Sequence, residues 1–139
     1  MNSDKKITKL DIQVKLSLLW IFVTVNYIFC DVFTLMYSEE LKQILSGTVG
    51  AVKMTQSFLL TFAIIMEIPM AMIILSRILK HKANRIINII AGTLLTLIQV
   101  MSLFVGKPTL HYVFFSIIEI ATTLFIIWTA WRWNQPEGE

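Results

Sequence analysis

Three carboxylic acids, Asp31, Glu67 and Glu119, lie inside long apolar runs. On insertion scales an acid at the centre of a bilayer costs about 2.5–3.5 kcal/mol. No lysine or arginine lies near the middle of these runs to pair with them. One acid must then hold a proton, or a cation must neutralise them, and either state suits proton exchange or binding of a cationic ligand. At 1.5 Å per residue, Asp31 lies about 9 Å, Glu119 about 13 Å and Glu67 about 15–20 Å from the helix end assigned below as outer. The three are expected to face inward and converge on one cavity open to the outside. Glu67 is singled out by its neighbour Pro69. A proline inside a helix frees the carbonyl four residues earlier, here Ile65, and commonly kinks the helix. A freed carbonyl beside a carboxylate makes a cation or proton site. The plainer alternative is a neutral Glu67 hydrogen-bonded to Gln99 or a tyrosine.

Other polar residues recur at helical spacing. The first run carries Ser17, Trp20, Thr24, Tyr27, Asp31 and Thr34 on steps of three and four, with Asn26 beside them at mid-depth. The third carries Asn88, Gly92, Thr96, Gln99, Ser102 and Gly106, and the fourth Tyr112, Ser116, Glu119 and Thr123. In the second, Glu67 shares a face with Leu60, Ala63, Met70 and Ile74. Lipid repels polar stripes, so all four faces are expected to turn inward. Tyr27, Asn26, Gln99 and Tyr112 would orient a ligand held by the acids, and His111 at the outer mouth would relay protons or simply sit at the interface. Small and polar stripes also serve as ordinary contacts between membrane helices.

Other chemistries find little support. No Glu-x-x-His pair of the di-iron bundles occurs, and His111 and Glu119 are about 12 Å apart along their helix, so no metal site is expected. No Ser/His/Asp or Cys/His pattern and no phosphate-cradling glycine loop appears, and no cofactor is implied. The lone Cys30 reads as a small apolar filler.

These residues need elements to position them. Of 139 residues, 56% are hydrophobic and 15% charged, against about 25% charged in soluble domains. Four runs reach the roughly 20 residues that cross a bilayer: 16–37, 54–79, 86–105 and 110–131. The expected fold is therefore all-α, a single four-transmembrane-helix bundle with the lipid bilayer as its solvent. The first run exceeds a signal-peptide core of about 7–15 residues, and no small-x-small cleavage site follows it. Lys5, Lys6, Lys9, Lys15, Arg77, Lys80, Lys82, Arg85 and Arg132 fall on one side, and Lys42, Lys53 and Lys107 on the other. The positive-inside rule then places both termini in the cytoplasm. The basic stretch 77–85 reads as a topology signal, with no nucleic acid as partner. Trp20, Trp128, Trp131 and Trp133 at one end, and Tyr37 and Tyr112 at the other, fit an interfacial girdle.

In the outer loop, Ser38-Glu39-Glu40 reads as a capped helix start that Gly47 and Gly50 would end. Aligning the second and fourth runs on Glu67 and Glu119 pairs Phe62 with Phe114, Ile68 with Ile120 and Ile74 with Ile126, as a two-plus-two repeat would.

Leu19-Trp20-Ile21-Phe22, Glu67-Ile68-Pro69-Met70-Ala71-Met72, Leu75-Ser76-Arg77, Ala83-Asn84-Arg85, Asn88-Ile89-Ile90-Ala91-Gly92 and His111-Tyr112-Val113-Phe114-Phe115 with Ile118-Glu119 span nearly the whole chain. Together they resemble a family of small bacterial four-helix membrane proteins with no assigned function. The resemblance implies the inner membrane of a bacterium and supplies no activity. Asn84 and Asn88, beside Arg85, are expected to cap the start of the third helix and to hold the cytoplasmic turn before it.

The function expected from the acids is binding or transport of a small cationic or proton-coupled ligand, in a homodimer if transport is by alternating access. An intramembrane proton-shuttling enzyme acting on a lipid is the second expectation, and a non-catalytic accessory or sensor subunit the third. A lateral opening to lipid favours the enzyme, and an opening to the outer aqueous face favours transport.

Overall fold

Asp11 opens the first helix by accepting the backbone N–H of Gln13 on its side chain, at 3.3 Å. The computed structural model describes residues 11–134. In order come α1 (Ile12–Met36), a short α2 (Ser38–Leu45), a hairpin of β1 (Thr48–Val49) and β2 (Val52–Lys53), then α3 (Gln56–Ile78), α4 (His81–Ser102) and α5 (Leu110–Trp131). The chain is all-α in class. Four helices are long and apolar enough to cross a membrane. Their 22–25 residues give about 33–37 Å of helix, a little more than the hydrocarbon thickness. Their outward faces carry Phe22, Phe29, Ile64, Ile74, Leu97, Met101 and Ile117, while Asn84, Asn88, Ser116, Glu119 and Thr123 are buried. This inside-out arrangement suits lipid as the solvent.

The fourth run coincides with α5, but the third helix starts at His81, five residues earlier than its apolar pattern indicates. Residues 81–85 are helix rather than loop because Asn84 is buried and engaged. Its amide donates to the carbonyls of Ser76 at 2.7 Å and Leu79 at 3.4 Å. Gln13 Nε2 also donates to Leu79, at 3.0 Å. The last carbonyls of a helix lack partners within it, so Asn84 closes the end of α3 and does not cap the start of α4.

A knot of side chains grows from this point. Asn88 Nδ2 donates to Asn84 Oδ1 at 2.7 Å, and Asn88 Oδ1 accepts from Trp20 Nε1 at 2.7 Å and from Ser76 Oγ at 3.3 Å. Ser17 Oγ donates to the Ile73 carbonyl at 2.8 Å. Trp20 is fully buried, a correction to its reading as an interfacial anchor, because its indole N–H finds Asn88 inside the bundle. Trp133 is buried as well, edge-on to His81. Trp128 and Trp131 are exposed.

α1 packs on α3 and on α5, and α5 on α4, so the helices run α3–α1–α5–α4 across the bundle. α3 and α4 follow each other in sequence yet touch little. Gly92 brings α4 close to α5: a Cβ there would lie 2.8 Å from Ile127 Cγ1. Thr96 and Thr123 join their hydroxyls across the same seam at 2.7 Å.

At the other end, Tyr37 donates its hydroxyl to Glu39 at 3.1 Å, and this carboxylate raises the phenol above its ordinary pKa. α2 includes Ser38 as its first residue and has no side-chain cap. Gly47, at φ +80°, ends it. The hairpin that follows has two-residue strands, too short for any alternation to be read from sequence, and Gln43 Oε1 accepts the Gly50 N–H at 3.0 Å.

Candidate functional site

The inward face of α5 is set by Ser116, Glu119, Thr123 and Ile126, all buried at spacings of three and four. That rotation carries Glu119 to 1% exposure in the bundle interior. It borders a cavity of about 80 Å³ in the half of the bundle away from the Leu79–His81 turn. All four long helices contribute to the lining. Tyr27, Cys30 and Asp31 come from α1, Phe62 and Met66 from α3, Gln99 and Ser102 from α4, and Tyr112 from α5.

Three donors beside Glu119 are committed to other partners. Tyr112 donates its hydroxyl to Ser102 at 2.7 Å, Ser102 donates to the Gln99 carbonyl at 2.7 Å, and Gln99 Nε2 donates to Ser116 at 2.8 Å. Both Glu119 oxygens are buried with no partner among the described residues. Leaving one buried polar group unpaired costs about 1–3 kcal/mol, and more for a charged one. A proton, a cation or water must relieve this. By the space one water needs, 80 Å³ holds on the order of five. Asp31 is exposed and stands on the same lining, so a buried acid and an accessible one share one hollow.

Five of the seven residues expected to bind ligand or protons therefore meet: Asp31, Glu119, Gln99, Tyr27 and Tyr112. Asn26 does not join them. It is buried outside the lining and donates its amide to the Phe22 carbonyl at 2.8 Å.

Glu67 is the larger departure. Its side chain is exposed on the outside of α3, on the same face as Leu60, Ala63, Met70 and Ile74. The inward face is Pro69, Met72 and Ser76, all buried, with Met66 reaching the cavity. Ser76 sets this rotation through its bond to Asn88 and through its carbonyl, which holds Asn84. Pro69 lies about 200° around the helix from Glu67, so the proline and the acid do not share a face. Gln99 is bonded to Ser116 and not to Glu67. The alignment of α3 with α5 fails in the same way, since Glu67 faces out where Glu119 faces in, and Phe62 lines the cavity where Phe114 is 60% exposed.

His111 lies outside the lining. Its Nε2 sits 3.3 Å from Thr34 Oγ1 and 3.2 Å from Thr109 Oγ1, which ties α5 to α1. Cys30 and Met66 line the cavity although sequence reasoning assigned them no role there. Their only signal is position, each being next to an acid in the chain. Among the described residues no three His, Cys, Asp or Glu side chains gather as a metal-ligand set.

The arrangement defines a class: a bundle of four membrane-length helices, apolar outside, with a small acid-lined hollow between them. The chain belongs to the Family of unknown function (DUF6326), whose family model matches residues 6–138. Neither a curated protein nor a solved structure matches it.

Proposed function

We propose that this chain is a multi-pass protein of a bacterial inner membrane that binds, and in a homodimer transports, a small cationic or proton-coupled ligand through the acid-lined hollow. The observation that carries the reading is Glu119, buried with both oxygens unpartnered beside a cavity it shares with Asp31. Glu119 holds the proton or the cation, and Asp31 exchanges it with the outer face. Tyr27, Tyr112 and Gln99 form the polar wall. The cavity size supports protons, a monovalent cation or a small ammonium over any bulky ligand.

Both termini are assigned to the cytoplasm. Lys15, Arg77, Lys80, Lys82, Arg85 and Arg132 gather at the end of the bundle with the Leu79–His81 turn, and Lys42, Lys53 and Lys107 at the hairpin end, which supports the positive-inside orientation. Four helices are few for alternating access. A second copy against the outer face of α3 would also shield Glu67, an acid that lipid solvates poorly.

A second reading is supported by the sparse packing of α3 on α4. Phe62 and Met66 on α3 face Ile98 and Gln99 on α4 across the cavity, so this seam is where a lipid tail would reach the acids. Glu119 and Asp31 would then shuttle a proton as acid and base.

The test is uptake into proteoliposomes loaded with a pH-sensitive dye, using sodium, potassium and tetramethylammonium against an imposed proton gradient. The parent protein is expected to move one of these in exchange for protons, and Glu119→Gln to abolish the exchange. Exchange by the Glu119→Gln variant at the parent's rate overturns the reading.

A further inference from the structure

The end of the bundle with the Leu79–His81 turn carries a second hollow, a groove of about 500 Å³ between the start of α4 and the end of α5. His81, Lys82, Arg85, Ile86 and Ile89 line it from α4, with Trp131 across from them. Setting membrane topology needs only a count of positive charges. It needs no groove, and it does not explain why the charges line one.

The groove is built in layers. Lys82 is exposed, and no carboxylate among the described residues lines the hollow. Arg85 spends one nitrogen on the Trp131 carbonyl, at 3.0 Å, which fixes its guanidinium over the groove and leaves further N–H groups to donate. The N-terminus of α4 has no side-chain cap, so its first N–H groups add partial positive charge at the same place. Of the other cations at this end, Lys15 lies over the Phe125 ring at 4.7 Å and Arg132 over Trp128 at 5.2 Å, and neither lines the groove. Towards the bundle centre the lining turns apolar, with Ile86 exposed and Ile89 half-buried. Trp131, 64% exposed, borders the hollow, as an indole does at headgroup depth.

Cations above, an indole at the boundary and isoleucines below match one ligand from head to tail. We propose that this groove binds an anionic glycerophospholipid, with Lys82, Arg85 and the α4 N-terminus on the phosphate and Ile86 and Ile89 against an acyl chain. A soluble phosphate would use the upper layer only, and a zwitterionic lipid would bring its own cation to a positive site.

Native mass spectrometry of the delipidated full chain in detergent tests this, titrated with phosphatidylglycerol, phosphatidylcholine of the same chains, and glycerol phosphate. Phosphatidylglycerol should be retained at least ten-fold better than either of the others. At the worth of one interfacial cation, Lys82→Gln should weaken it about five-fold, and Lys82→Gln with Arg85→Gln about thirty-fold. Lys42→Gln with Lys53→Gln, at the other end, should leave it unchanged. The single Lys82→Gln variant keeps the test valid if loss of the Arg85 bond to α5 impairs folding. Equal retention of phosphatidylcholine overturns the proposal, as does glycerol phosphate binding as tightly as the lipid, or no weakening in Lys82→Gln.

Discussion

The polar clusters at the centre of this bundle's two halves treat buried groups in opposite ways, although Thr129 Oγ1 near the Leu79–His81 end also lacks a partner among the described residues. Near the Leu79–His81 turn, Trp20, Ser76, Asn84 and Asn88 satisfy one another and the open end of α3. Near the hairpin, Glu119 is as deeply buried as Asn88 and has no partner among the described residues. A complete network in a low-dielectric interior holds helices in one arrangement. An incomplete one costs stability, and under the proposed function the open valence is where the ligand is held. The first half is therefore read as architecture and the second as the working site.

Mutation should separate them. The largest stability effect is expected from Asn88→Ala, which strips partners from Trp20, Ser76 and Asn84 together. At about 1 kcal/mol or more for each group left unpaired, the loss should be about 3 kcal/mol, read as a fall in the unfolding midpoint in mixed micelles. In the other half, Glu119→Leu should move stability the opposite way, by about 1–2 kcal/mol, since it removes an unsatisfied buried acid, while abolishing proton-coupled uptake. If both substitutions destabilise alike, the halves are not different in kind.

Gly92→Ala sharpens the boundary between them. Its new methyl would meet Ile127 at 2.8 Å, and overpacking of this kind costs about 1–3 kcal/mol. Because Gly92 lies at the α4–α5 seam, outside the cavity lining, uptake should survive once the loss of folded protein is corrected for.

The four long helices were readable because hydropathy over 20 residues is an additive signal that local detail cannot hide. The early start of α4 was not, because Lys82, Asn84 and Arg85 look like loop until the partner of Asn84 on α3 is known. The buried setting of Trp20 was hidden for the same reason, since an indole at a helix end suits either an interface or a partner. Most of the site followed from the stripes on α1, α4 and α5, where polar residues are numerous enough to fix which face turns inward. α3 offers two competing cues, Glu67 on one side and Ser76 on the other. The acid is the more conspicuous, but the serine has a partner waiting on α4.

That contest leads to the smallest expected effect. On sequence alone Glu67 is the first candidate for the exchanging proton, for its mid-helix depth and its proline. In the fold it faces away from the cavity, and Met66 takes the position that an inward acid would have held. Glu67→Gln should therefore leave the pH dependence of cation uptake within two-fold of the parent, while Glu119→Gln removes it. Any loss in the Glu67→Gln variant should follow the fraction of dimer, because the face of α3 that carries Glu67 is open to a second copy and closed to the hollow. A Glu67→Gln protein that stays dimeric and yet loses its pH response would place the exchanging proton on the outside of the bundle, and the difference between its two halves would then concern folding alone.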